Sequence, residues 1–126
     1  MLRLTAVADK GSSDRCDEED WVEFTNTGET DIALAGYMLH DYNGVDDSKA
    51  FTFGVSNNIK ACDTITICKD AEGSFKFGIG GDDTVTLLDA NGEIVDTSGK
   101  LGDQGALNYV WTRGSPAGDW GYVVVG

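Results

Sequence analysis

Residues 20–41 read DWVEFTNTGETDIALAGYMLHD, and their patterning decides the fold. From Trp21 to Asn26, Val22 and Phe24 fall on one side of the chain while Trp21, Glu23 and Thr25 fall on the other. A period of two marks a half-buried strand. Thr27, Gly28, Glu29, Thr30 and Asp31 then make a polar turn, Ile32 and Leu34 re-enter apolar surroundings, and Gly36 precedes a second apolar run from Tyr37 to Leu39. The unit is strand, turn, short strand, glycine corner, strand.

Upstream, Leu2 to Ala8 alternates Leu2, Leu4, Ala6 and Ala8 against Arg3, Thr5 and Val7, which predicts a first strand. Downstream, Ala50 to Gly54 predicts a short strand with Phe51 and Phe53 on one face; Ile65 and Ile67 face the core from the next, and Phe75 and Phe77 from a later one or its loop. A hairpin runs from Thr84 to Thr97, turning at Asn91 and Gly92, a pair that supplies left-handed dihedrals. Val85 and Leu87 point inward from its first arm, and Ile94 or Val95 from its second. Asn108 to Thr112 and Trp120 to Val125 complete the strands, and Thr52, Thr64, Thr66, Thr84 and Thr86 mark the wet faces of the sheets. No ten-residue segment carries a helical apolar period. Gly is 17 of 126 residues and Pro only 1, which suits many tight turns.

The run Asp20, Trp21, Val22, Glu23, Phe24 and Asn26, followed after a turn by Leu34, Gly36, Tyr37, Leu39 and Asp41, resembles the lamin tail domain family. Thr25 stands where that family often has an aromatic. FTFGVSNNIKACDTITICKD and GGDDTVTLLDANGEIVDT resemble the family's next segment and its late hairpin, so the likeness covers about four fifths of the chain. The resemblance implies an all-β, immunoglobulin-like sandwich of two antiparallel sheets with about eight to nine strands. It also implies a non-catalytic binding or adhesion module, part of a larger or secreted protein, with a protein as partner. The heptads of a lamin rod are absent.

A chain of 126 residues fits a single domain, 1–126, whose core needs neither metal nor disulfide to hold it. Nine Lys and Arg against 22 Asp and Glu give a formal net charge of -13, and the basic residues are spread singly. Nucleic-acid binding draws on clustered cations, and anionic membranes repel such a charge, so both are excluded as partners. No run approaches the roughly 18 apolar residues of a membrane span. Cys62 and Cys68 share one predicted strand at a separation of about 20 Å, beyond the roughly 7 Å a disulfide tolerates. Any bridge that forms therefore joins Cys16 to Cys62 or to Cys68 and leaves one thiol over, an odd count that fits an oxidised surface domain or a reduced intracellular one. Cys16 sits in a polar loop that a bridge would pin, which leans the expectation toward an oxidising, extracellular or cell-surface setting.

Two acidic loops offer oxygen ligands for calcium. Asp41, Asn43, Asp46 and Asp47 stand beside Gly44, and Asp14 and Asp17 precede Glu18 and Glu19. The spacing lacks the glutamate that ends a full calcium loop, and no other cofactor is expected. His40, the only histidine, adjoins Asp41, but neighbours on a strand point to opposite faces, and no nucleophile elbow accompanies it. The cysteine spacing lacks the paired knuckle of a zinc site, and no two carboxylates are singled out as a glycosidase pair. The expectation is a non-enzyme. Near the C-terminus, Trp111, Trp120 and Tyr122 either fill the core or stack on sugar rings, and the second option would make the domain a carbohydrate-binding module.

Overall fold

The computed structural model describes residues 1–9, 14–44, 46–103, 109–113 and 118–124, with the Asp14 side chain excepted. Asn108, Val125 and the loop residue Pro116 lie outside them. Among the described residues there are eleven strands and no α-helix: β1 (Leu2–Ala8), β2 (Trp21–Asn26), β3 (Ile32–Ala33), β4 (Met38–His40), β5 (Phe51–Thr52), β6 (Asn58–Ile59), β7 (Thr64–Cys68), β8 (Thr86–Leu88), β9 (Ile94–Thr97), β10 (Tyr109–Arg113) and β11 (Trp120–Val124). A single 3-10 turn, Asp14–Cys16, precedes β2. The count exceeds eight or nine because β3 and β6, two residues each, pair only with one another at a corner.

A five-stranded sheet ordered β11-β10-β1-β2-β7 faces a four-stranded sheet ordered β5-β4-β8-β9, with antiparallel pairing throughout. The core between them takes Leu2, Leu4, Val7, Val22 and Phe24 from the first sheet and Leu39, Phe53, Val85 and Leu87 from the other side. Phe75, Phe77 and Ile79 enter it from the segment joining β7 to β8, and Ile65 and Ile67 pack against it from β7. Phe53 sits edge-on to both Phe24 and Phe51, at 5.7 and 4.9 Å between centroids.

The simple alternation expected of β1 does not survive intact. Its register against β2 slips between Leu4 and Ala6, leaving Thr5 as an extra residue. One inserted residue reverses the faces of everything after it. Val7 therefore joins Leu2 and Leu4 in the core, while Ala6 and Ala8 move to the outer face beside Trp21, Val110 and Cys16. A second slip, between Leu87 and Leu88 opposite β9, decides the other hairpin position: Ile94 is exposed, Val95 packs on the core and Asp96 turns inward.

Trp21 falls on the solvent side of β2 by its alternation, yet it is only 1% exposed. The 3-10 turn lies over it, and the Arg15 guanidinium stacks 4.0 Å from its ring. A disulfide between Cys16 and Cys68 fixes that turn to β7 and resolves the pairing that spacing left open. Cys62 is the thiol left over, exposed in a turn with positive φ. Asn26 ends β2 buried, its side-chain amide donating to the Thr30 and Ile59 carbonyls while its oxygen accepts from the Gly28 amide. The polar residue at the end of the organising strand is thus the peg that shapes the turn after it.

Candidate interaction surface

The C-terminal hairpin β10–β11 carries the aromatic group that the sequence singled out. Register places Trp111 opposite Val7 and Tyr122, so Trp111 and Tyr122 share the inner side of the sheet. Trp111 lies stacked 6.4 Å from Trp120 and edge-on to Tyr122 at 4.9 Å, and its indole N–H donates to the Ser98 carbonyl at 2.8 Å. Arg113 covers the Trp120 ring at 4.6 Å. A β-carbon on Gly102 would meet Tyr122 at 3.2 Å and Trp111 at 3.5 Å, so the backbone closes directly against these rings. The three aromatics are brought together, but as half-buried packing of the hairpin on the sandwich. A sugar platform needs open ring faces, and all three side chains are half-buried.

An ion pair anchors the same hairpin. Arg113 Nη2 reaches Asp96 Oδ1 at 2.9 Å, both side chains only 8% exposed. Asp96 Oδ2 accepts the Leu4 amide, and its Oδ1 also takes the Thr97 amide. One carboxylate therefore ties β9, β10 and the start of β1 together, which explains why a charged residue sits inward.

The acidic residues proposed as calcium ligands are differently placed. Asp41 is buried and accepts the Asn43 amide at 3.0 Å, fixing its own turn, while Asp47 accepts the Lys49 amide at 2.7 Å. Asn43 and Asp46 are exposed, as is Asp17 beyond the 3-10 turn. Among the described residues no group of three His, Cys, Asp or Glu side chains is placed to hold a metal ion. His40 closes β4 with Nδ1 2.7 Å from the Asp41 carbonyl oxygen. Asp83, at the glycine corner, accepts the Tyr42, Thr84 and Gly80 amides and joins that corner to the Asp41 turn.

The outward side of the hairpin is open. Among the described residues no strand pairs with the free edge of β11 or with that of β7. Val124 is 71% exposed and Val123 nearly half exposed. Beside Val123, a cleft of about 130 Å³ is lined by Ala6, Val110, Thr112, Trp21, Arg15 and Glu23. The bulge at Thr5 put Ala6 there; alternation alone could not have identified this surface as apolar.

Two opposed antiparallel sheets with this strand order define an immunoglobulin-like β-sandwich. Residues 2–102 match the family model Lamin Tail Domain, and the chain belongs to that family of non-enzymatic immunoglobulin-like domains. The match ends before β10 and β11, which complete the five-stranded sheet. A search of curated proteins returned no match to this chain. No helix among the described residues is long and apolar enough to cross a membrane.

Proposed function

We propose that this domain is a non-catalytic protein-binding module that takes its partner along the β11 edge. The observation that carries the reading is the unpaired, valine-bearing rim of β11 next to the cleft at Val123. An open strand edge offers backbone donors and acceptors to an added strand, and exposed valines offer it apolar contact. Membership of the lamin tail domain family, whose members commonly serve in protein interaction, supports the same role. The Cys16–Cys68 bridge suits a module displayed where disulfides persist.

Photo-crosslinking tests this directly. A benzophenone side chain at Val124 is expected to capture a discrete protein from native extracts, whereas one at Val55, still more exposed but on a turn far along the chain, is not. Equal capture at both positions overturns the edge assignment. Retardation on polysaccharide columns, lost in Trp120→Ala, would instead favour the sugar-binding reading. Calcium at Asp41, Asn43, Asp46 and Asp47, or at Asp14 and Asp17, is a separate proposal. Melts with millimolar calcium and with chelator test it, since a ligand at a hundredfold excess over Kd adds about 2.7 kcal/mol. Superimposed melts remove it.

A further inference from the structure

At the other side of the molecule, the segment that follows β7 approaches the segment that leads into β5. Between them lies a cleft of about 380 Å³ whose walls include Lys49 and Phe51 on one side and Gly73, Ser74 and Lys76 on the other. This volume is within the range of small-ligand sites. Three observations set it apart. First, two of the chain's nine basic residues line this cleft, and although Arg15 and Lys69 line another, that second pair is engaged by carboxylates. Among the described residues neither Lys49 nor Lys76 forms an ion pair, whereas Arg15, Lys69 and Arg113 all do. Second, Ser74 is only 6% exposed, and its hydroxyl has no hydrogen-bond partner among the described residues. A buried hydroxyl normally finds one. Third, Phe51 is half-buried in the wall, and Gly73, held at φ 73° by the tight 68–75 loop, has open space where a β-carbon would stand.

The geometry points to a binding site for a carboxylate carried on an apolar body, such as an aryl or alkyl carboxylate. The two ammonium groups and the Ser74 hydroxyl supply donors, and Phe51 supplies the apolar wall. The desolvation cost of an ion rises with the square of its charge while its attraction to the two lysines rises only in proportion, so a cleft with an apolar wall disfavours a dianion such as a phosphate monoester relative to a monoanion. A monocarboxylate is the better balance. This site is independent of the β11 edge, which lies at the opposite end of the five-stranded sheet from β7.

Backbone amide NMR titration tests the site with phenylacetate, phenyl phosphate and phenethylamine as probes. Phenylacetate is expected to shift Gly73, Ser74, Lys76 and Lys49 selectively, with the phosphate weaker and the amine without effect. Lys49→Gln with Lys76→Gln, both exposed and unpaired, is expected to keep the melting temperature and weaken phenylacetate about tenfold, the loss of two charge-assisted contacts. Ser74→Ala breaks no hydrogen bond seen here, so it should leave stability unchanged and still weaken binding. A dipeptide ending in a free phenylalanine carboxylate, compared with its amide, separates the sources: tighter binding than phenylacetate assigns the site to a chain terminus, equal binding to a free small acid. Equal shifts with phenethylamine, no shifts with any probe, or unchanged affinity in the double lysine variant each overturn the assignment.

Discussion

At the residue scale, the fold depends on a few polar side chains turned inward with full complements of partners. Asp96 is the clearest, because its two oxygens serve Leu4, Thr97 and Arg113 at once. Replacing one member of a buried ion pair strands the other, at a cost of about 3–5 kcal/mol. Urea unfolding of Arg113→Met should therefore show a loss of that order, while the double change Arg113→Met with Asp96→Asn should recover part of it. Lys69 presents the exposed counterpart. Its hydrogen bond to Asp70 is the main cause that raises its pKa, with the charges of Asp70, Glu19 and Asp20 adding to it against some desolvation. A lysine raised in the folded state contributes stability that is complete below its unfolded pKa and is lost as pH climbs through the folded value. Lys69→Met should flatten the alkaline limb of the stability profile above about pH 10 and change neutral stability by less than about 1 kcal/mol. An unaltered alkaline limb would show that the pair with Asp70 does not persist in solution.

Elements were legible where a strong period ran uninterrupted. The organising strand, the Asn-Gly hairpin and the bounds of β1 all follow from alternation and turn chemistry, and each forms as expected. What alternation could not reveal were the two bulges, since an extra residue leaves composition unchanged while reversing every face beyond it. Val7, Ala6 and Ala8 changed sides for that reason, and the choice between Ile94 and Val95 was decided in the same way. Element scale also governs the disulfide, which spans 52 residues and clamps the 3-10 turn over Trp21. Closing a loop of this length stabilises by about 2–4 kcal/mol. Reduction, or Cys16→Ser with Cys68→Ser, should lower the melting temperature accordingly and shift Trp21 fluorescence to longer wavelength as its cover loosens. A loss of stability without that shift would mean the turn stays seated without its bridge.

For the whole molecule, the question is whether residues beyond 102 are an appendage or part of one fold. The family match stops there, yet β10 pairs with β1, β11 pairs with β10, and the hairpin brings Arg113 to Asp96 and Trp111 to the core. A chain cut after residue 103 should lose cooperative unfolding and bind a hydrophobic dye, because it exposes the β1 edge and strands the Asp96 charge. A truncated chain with a sharp, native-like transition would instead make the hairpin a separable addition. The sequence by itself determined the fold family and the class of strand in each stretch, and its net charge set the expectation of a partner other than nucleic acid, because period, turn residues and net charge are local or additive quantities. The tertiary structure alone decided which cysteine pairs with Cys16, which side of the C-terminal aromatics is spent on packing, and that Lys49 and Lys76 line one cleft. These are contacts between residues far apart along the chain, fixed by bulges and sheet order that no local pattern records.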